Sequence, residues 1–275
     1  MSTIKTGWLL NKIGEVFAPK TLLSQISTDD GVLLEQKLED DFNEIRTYID
    51  EKHADPLAGK KILCLGDSMM AGDGWTGGFA NCIQENHPDA IITNIAVSGA
   101  TLIQNETGKY IYKQFQNYYK PDEEVHGEEP DIIIFDGGGN DCIYRASIGT
   151  GRLEGSGING VQSTMCDALE YLIYAIKTVY PNTKMLYITT PTSYQSEDTT
   201  ITPSIPTPNV QLEYLSAREK VLEKWGVPKA DLKRDGNITN CHVKMATAYY
   251  DGYHFNEAGY RYVYPIIEVA LKKLF

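Results

Sequence analysis

From residue 60 onward, short apolar runs alternate with longer segments in which apolar residues recur every three or four positions. The short runs predict β-strands, and their continuous apolar character is typical of strands that are buried on both faces of a parallel sheet. The alternation itself predicts a parallel sheet covered by helices. The predicted strands are 61–65, 91–97, 131–136 and 184–190, and the predicted helices are 76–86, 160–180, 209–225 and 256–274.

The first 58 residues differ in character from the rest of the chain. After the turn-like sequence at 29–31, a charged stretch carries apolar residues three or four positions apart, which predicts a helix ending near residues 54–56. The apolar stripe consists of Leu34, Leu38, Phe42, Ile45 and Ile49. Such a helix could pack on the main domain or serve as a short oligomerisation helix. We therefore divide the chain into an N-terminal helical extension, residues 1–58, and a main domain, residues 59–275.

Two stretches interrupt the alternation of strands and helices. Residues 142–159 are rich in glycine, and residues 191–208 are polar and rich in proline. Loops of this length inside a compact domain are commonly functional or disordered. Because both follow the carboxyl ends of predicted strands, we expect them to wall the same crevice.

Composition narrows the classes of partner. The 275 residues are 42% hydrophobic, which is enough for one large α/β domain and an appendage. A net charge of −12 argues against nucleic acid or an anionic membrane as the main partner. No apolar run approaches the ~20 residues that span a bilayer. The first residues lack the pattern of a signal peptide, so the default expectation is a cytoplasmic protein.

Cysteine and histidine give no sign of a metal or a cofactor. The five cysteines (residues 64, 82, 142, 166 and 241) are scattered and contain no Cys-x-x-Cys pair, which indicates reduced thiols. The five histidines (residues 53, 87, 126, 242 and 254) lack the spacing of metal ligands. We therefore expect neither a metal centre nor a cofactor.

The most informative motif is Gly66-Asp67-Ser68, which directly follows the predicted strand 61–65. A serine at the carboxyl end of such a strand projects its hydroxyl into the crevice where open α/β sheets bind ligands. Taken alone, this serine could equally be a helix cap. Three further blocks follow in order: Ser98-Gly99, Gly138-Gly139-Asn140-Asp141 and Asp251-Gly252-Tyr253-His254.

The side chains of these blocks fit acyl transfer. Asp251 and His254 are three residues apart, just before a helix that Asn256 could cap, so one short turn can present both to the same site. Asp251 would then bind Nδ1 of the imidazole and leave Nε2 to accept the proton of Ser68. A polar turn with a surface histidine is the alternative. Asp67 and Asp141 are expected to organise the local turn or cap a helix.

Together the four blocks resemble those of the SGNH (GDSL-type) hydrolase family over residues 60–275. The resemblance implies a flavodoxin-like three-layer α/β/α fold with a central parallel sheet. It implies that Ser68 is the nucleophile and that Asp251 and His254 lie on a closing loop. The backbone N–H groups of Ser68 and Gly99 and the Asn140 amide would form the oxyanion hole. This chain departs from the family in having Met69 where leucine is usual, and in its two long loops.

A second resemblance concerns residues 17–38. This segment resembles the short leader of tail or appendage proteins from phages that infect Gram-positive bacteria. It implies a particle-associated or extracellular protein in place of a cytoplasmic one.

These observations predict a serine esterase without a cofactor that removes a short acyl group, an acetyl group on a carbohydrate. Polar loops, 18 tyrosines and the lack of a large apolar loop favour a sugar over a long-chain lipid. A lysophospholipase or a thioesterase is the alternative within the enzyme class. A phage-type appendage or a glycan-binding module is the alternative outside it, although a binding module has no need of Ser68, Asp251 and His254 together.

Overall fold

The computed structural model describes residues 34–53, 55–120, 127–151, 163–190, 208–236, 248, 251 and 253–275. The chain divides into two compact units, residues 1–55 and 56–275. Residues 17–33 of the leader-like segment, Cys241, residues 152–159 of the first long loop and residues 191–207 of the second lie outside the described residues.

In the first unit, the predicted charged helix is present as α1, Leu34–His53. Phe42 and Ile45, from its apolar stripe, are both exposed. Among the described helices of the chain, none has the length and apolar character needed to cross a bilayer.

The second unit is a parallel sheet of five strands in the order β2-β1-β3-β4-β5. The strands are β1 (Lys61–Leu65), β2 (Ile91–Asn94), β3 (Ile132–Phe135), β4 (Lys184–Thr189) and β5 (Lys229–Asp231). The helices are α2 (Ser68–Ala71), α3 (Gly78–Asn86), α4 (Ile111–Tyr119), α5 (Gly139–Ile143), α6 (Met165–Val179), α7 (Pro208–Trp225) and α8 (Glu257–Lys272).

Helices cover both faces of this sheet. Successive side chains of each strand point to opposite faces, so the inner strands β1, β3 and β4 each contribute to two cores. Ile62 and Cys64 of β1 face a core shared with α3 and α8, whereas Leu63 and Leu65 face a second core shared with α4, α6 and α7. All four are buried, as expected for a central parallel strand. The three-layer α/β/α fold implied by the sequence is therefore confirmed.

The structure corrects the prediction for β2. The strand ends at Asn94 instead of residue 97, although the N–H groups of Ile95 and Val97 still donate to the carbonyls of Cys64 (3.0 Å) and Gly66 (3.1 Å). The Asn94 side chain is bonded to nearby backbone groups. Its Oδ1 accepts a hydrogen bond from the Ala96 N–H (3.1 Å), and its Nδ2 donates to the carbonyl of Met70 (3.0 Å). The strand also lies at the edge of the sheet, not in its centre, and Ile91 is 54% exposed.

The other predicted strands and helices are present with ends shifted by a few residues. The largest shift is at α6, which begins at Met165 instead of residue 160, because Thr164 caps it by accepting a hydrogen bond from the Asp167 N–H. Strand β5 and helices α2, α4 and α5 were not predicted from the sequence. Three of these four elements have only three to five residues, too few to show a period.

The topology brings the four sequence blocks towards one edge of the sheet. β1 lies between β2 and β3, so the chain leaves β1 towards one side for β2 and returns to the other side for β3. Such a switch point opens a crevice at the carboxyl ends of the strands. Ser68, Gly99 and Asn140 follow β1, β2 and β3 respectively.

Candidate active site

The turn that carries Ser68 requires glycine at residue 66. Gly66 has a φ of +153°, and a Cβ on it would lie 1.8 Å from Oδ1 of Asp136. Asp67 then caps α2, since its Oδ1 accepts a hydrogen bond from the Met69 N–H (3.0 Å). Ser68 becomes the first residue of this short helix and is 3% exposed. Asp67 thus organises the turn, as the sequence indicates.

Two buried side chains fix this turn through hydrogen bonds to its backbone. The side-chain amide of Gln114, on α4, binds both backbone groups of Gly66. It accepts a hydrogen bond from the Gly66 N–H (2.8 Å) and donates one to the Gly66 carbonyl (2.7 Å). Asp136, which follows β3, accepts a hydrogen bond from the Asp67 N–H (2.8 Å). Neither residue belongs to a motif in the sequence, and Gln114 lies on a helix that the apolar pattern does not predict.

Ser68, His254 and Asp251 form a continuous hydrogen-bonded chain. Nε2 of His254 lies 2.8 Å from Oγ of Ser68, and Nδ1 lies 2.7 Å from Oδ2 of Asp251. The second oxygen of Asp251 accepts hydrogen bonds from the N–H groups of Tyr253 (2.9 Å) and His254 (2.7 Å). The carboxylate thereby shapes the turn that presents the imidazole, and Asn256 caps the helix that follows.

The charges of Asp251 and His254 stabilise each other. Burial raises the pKa of Asp251, but the hydrogen bonds from His254 and from the backbone outweigh it and lower the pKa to about 2. Burial likewise lowers the pKa of His254. The hydrogen bond to Asp251, with the charges of Asp251, Asp73 and Asp67, outweighs burial and raises that pKa above its ordinary value. An imidazole in this position can take up a proton readily.

Gly99 and Asn140 lie beside each other in the structure. The Asn140 side-chain amide donates to the carbonyl of Ala100 (2.8 Å), which leaves its second N–H available. Gly99 has a φ of +79°, and a Cβ on it would meet no atom within 4 Å, so it borders open space. Within the described ranges, the backbone N–H groups of Ser68 and Gly99 have no acceptor. All three predicted oxyanion groups therefore have an N–H to offer.

Asp141 has the structural role that the sequence indicates. Its two carboxylate oxygens accept hydrogen bonds from the N–H groups of Leu102 (2.8 Å) and Ile103 (3.1 Å). These bonds fasten the loop after β2 to helix α5. They thereby fix Gly99 in relation to Asn140.

A buried cation lies under the glycine-rich segment after β3. Nη1 of Arg218, on α7, donates to the carbonyl of Gly137, and the hydroxyl of Tyr187 donates to the same oxygen (2.5 Å). Both side chains are buried. They fix the backbone that leads into Asn140. No pattern in the sequence distinguishes Arg218 from the other charged residues of α7, so sequence reasoning could not have found it.

A cavity of about 640 Å³ opens beside His254, and Asp73, Trp75, Thr76, Asp251 and His254 are among the residues that line it. Oδ2 of Asp73 lies 3.9 Å from Nε2 of His254, and Oδ1 accepts a hydrogen bond from Oγ of Ser98 (2.5 Å). Asp73 was not predicted as a site residue, although it lies in the glycine-rich turn that follows Ser68. In the part of the chain that the structure describes, no cluster of three or more His, Cys, Asp or Glu side chains could hold a metal ion.

A parallel α/β sheet with serine, histidine and aspartate joined in this order at its carboxyl edge has the arrangement of a serine hydrolase. The model of the GDSL-like lipase/acylhydrolase family matches residues 64–262. The chain belongs to this family and is a hydrolase that acts on ester bonds. No curated protein matches it in sequence.

Solved structures share the fold at low sequence identity. A protein from Lactobacillus plantarum is 21% identical with a TM-score of 0.63, covering 79% of this chain and 99% of its own. A lipase/acylhydrolase from Enterococcus faecalis is 19% identical with a TM-score of 0.52, covering 78% and 96%. A family 3 carbohydrate esterase from Clostridium thermocellum is 18% identical with a TM-score of 0.51, covering 78% and 96%.

Proposed function

We propose that the chain is a serine esterase that removes an acetyl group from a carbohydrate, with Ser68 as nucleophile, His254 as base and Asp251 as the group that orients the base. The observation that carries this proposal is the unbroken hydrogen-bonded chain from Asp251 to Ser68, with distances of 2.7 and 2.8 Å. Its position at a crevice lined by polar groups supports the assignment.

In the first half of the reaction, Oγ of Ser68 attacks the acyl carbon while its proton passes to Nε2 of His254. The negative charge that develops on the acyl oxygen is met by the N–H groups of Ser68, Gly99 and Asn140. Each such donor is worth about 3 kcal/mol of transition-state stabilisation. The bond between the acyl carbon and the alcohol oxygen then breaks as the imidazolium, stabilised by Asp251, gives its proton to that oxygen, and the acyl group remains on Ser68.

In the second half, water takes the place of the alcohol. His254 accepts a proton from the water as it attacks the acyl carbon, and the same oxyanion donors stabilise the new tetrahedral intermediate. The intermediate collapses, releases the carboxylic acid and returns the proton to Oγ of Ser68. Every step uses side chains and backbone groups of this chain together with water.

Two observations favour a sugar ester. The cavity beside His254 combines an aromatic ring, Trp75, with the hydroxyl of Thr76 and the carboxylate of Asp73, a mixture suited to a polyhydroxyl group. In addition, one of the structures that share the fold is a family 3 carbohydrate esterase. A long acyl chain would require an extended apolar groove instead.

The test is a comparison of substrates for the wild-type protein and Ser68→Ala. We expect hydrolysis of p-nitrophenyl acetate and of acetylated xylo-oligosaccharides, with the rate on p-nitrophenyl esters falling as the acyl chain lengthens to palmitoyl. Ser68→Ala should hydrolyse none of these substrates. A preference for palmitoyl esters or lysophosphatidylcholine would instead identify a lysophospholipase, and a preference for acyl thioesters would identify a thioesterase.

We further propose that helix α1 pairs with copies of itself. Its apolar stripe includes the exposed residues Phe42 and Ile45 on an otherwise charged helix. A helix with one apolar face gains stability by covering that face. An esterase assembled through α1 would also suit the particle-bound role that the leader-like segment implies.

A further inference from the structure

Asp73 is a charged residue close to Ser68 and His254. The reaction described above gives it no role. Its Oδ2 lies 3.9 Å from Nε2 of His254, the same nitrogen that binds Ser68. The side chain is 44% exposed and lines the cavity beside His254. Asp251, by contrast, lies on the Nδ1 side of the ring and is already paired with it.

Neighbouring groups fix the Asp73 carboxylate in this position. Oγ of Ser98 donates to its Oδ1 at 2.5 Å, which leaves Oδ2 directed towards the imidazole. The Asp73 N–H donates to the carbonyl of Ser68 (3.0 Å), and the hydroxyl of Tyr260 donates to the carbonyl of Asp73 (3.4 Å). The backbone of Asp73 is thus part of the turn that carries the nucleophile. These contacts also give Ser98, a member of the second sequence block, a function.

The leaving alcohol must come close to this carboxylate. Nε2 of His254 protonates the alcohol oxygen, so that oxygen must approach Nε2 to about 3 Å. Oδ2 of Asp73 is 3.9 Å from the same nitrogen. Substituents on the carbon atoms next to the alcohol oxygen therefore enter the field of Asp73. An ionised carboxylate only accepts hydrogen bonds, so it favours hydroxyl and ammonium groups and repels phosphate, sulfate and carboxylate groups.

We propose that Asp73 selects the alcohol part of the ester, favouring neutral polyhydroxyl and cationic amino-sugar alcohols and excluding anionic ones. This inference rests on the proposed esterase function and narrows its substrate class. It separates a sugar deacetylase from an enzyme for lysophospholipids, in which the alcohol that leaves carries a phosphate a few atoms from its oxygen.

The experiment uses the full-length protein and the variant Asp73→Asn, which keeps the shape of the side chain and removes its charge. The substrates are three acetates: phenyl acetate, 3-(trimethylammonio)phenyl acetate and 3-sulfophenyl acetate. For each ester, kcat/KM of the variant is divided by that of the wild type. Relative to phenyl acetate, we expect the ratio to fall about fivefold for the cationic ester and to rise about fivefold for the anionic ester, as for charges several ångströms apart near water.

The matched control is Asp89→Asn. Asp89 is an exposed aspartate in the turn before β2, at the edge of the sheet opposite the site, and its replacement changes the net charge by the same amount. It should leave all three ratios close to one. If Asp73→Asn changes the three esters by a common factor, or separates them no more than Asp89→Asn does, the proposal is wrong.

Ser98→Ala provides a second, independent variant should Asp73→Asn fold poorly. It keeps the charge of Asp73 but removes the hydroxyl that fixes it, so the preference for the cationic over the anionic ester should shrink. An unchanged preference would contradict the role given to Ser98 and Asp73. Should the wild type hydrolyse none of the three acetates, the proposed deacetylase function would be overturned. Hydrolysis without charge discrimination overturns only the role of Asp73.

Discussion

Replacing Gln114 should loosen the turn that carries Ser68. This side chain is 5% exposed and makes both of its amide hydrogen bonds to the backbone of Gly66, at 2.8 and 2.7 Å. The Gly66 carbonyl also accepts from the Val97 N–H (3.1 Å), so it keeps one partner in Gln114→Ala. The Gly66 N–H keeps none among the described residues. A buried N–H without an acceptor costs about 1–3 kcal/mol, and the cavity left by truncation brings the expected loss to about 2–4 kcal/mol.

The loss is measured as the free energy of unfolding in urea, together with kcat for p-nitrophenyl acetate in the absence of urea. We expect kcat to fall at least tenfold, because small displacements of a nucleophile have large effects on rate. Gln114→Met keeps most of the volume and should retain the part of the loss that comes from hydrogen bonding. Asn117→Ala, an exposed position on the same helix, is the control and should have little effect. If Gln114→Met matches the wild type in both stability and kcat, the reasoning is refuted.

Three further predictions concern pH and the N-terminal unit. Burial raises the pKa of Asp136 well above its ordinary value, so the folded state keeps a proton that the unfolded state loses above about pH 4. The free energy of unfolding in urea should therefore fall as the pH rises above about 4. Asp136→Asn should flatten this slope of unfolding free energy against pH, and equal slopes for the variant and the wild type would contradict the prediction. The raised pKa of His254 predicts that kcat/KM for a neutral ester rises with pH through an apparent pKa above the ordinary histidine value, and that Asp251→Asn lowers both the apparent pKa and the rate; a profile without this step would rule out His254 as the base. A chain that begins at Ala58 should hydrolyse p-nitrophenyl acetate at a comparable rate and show a smaller mass by light scattering; an inactive chain that is still folded by circular dichroism would place part of the site in the N-terminal unit.

The sequence was sufficient for the main plan of the fold. Strand β1 has the predicted ends, and Asn256 caps α8 as expected. These features depend on neighbouring residues, whose periodicity and spacing can be read directly. The edge position of β2 could not be read in this way, because an apolar run such as 91–97 looks the same at the centre and at the edge of a sheet.

For the site, the sequence identified the groups that have motifs and missed those that act through tertiary contacts. Ser68 and His254 are 186 residues apart, and the four-block resemblance was what indicated that they meet. Gln114, Arg218 and Asp73 reach the site from α4, α7 and the turn after α2. Nothing in the local sequence of Gln114 and Arg218 distinguishes them from surface residues of the same type, whereas Asp73 lies in the glycine-rich turn that follows Ser68. Their roles depend on burial and direction, which only the folded chain reveals.

The most direct test of the proposed mechanism is covalent labelling with a fluorophosphonate, followed by mass spectrometry of the digested protein. An activated serine reacts with this reagent, whereas an ordinary capping serine does not. We expect one label on the wild-type protein, on Ser68, with loss of esterase activity in proportion to labelling. Ser68→Ala should remain folded, take up no label and show no activity. A label on any other residue, or esterase activity that survives in Ser68→Ala, would show that Ser68 is not the nucleophile.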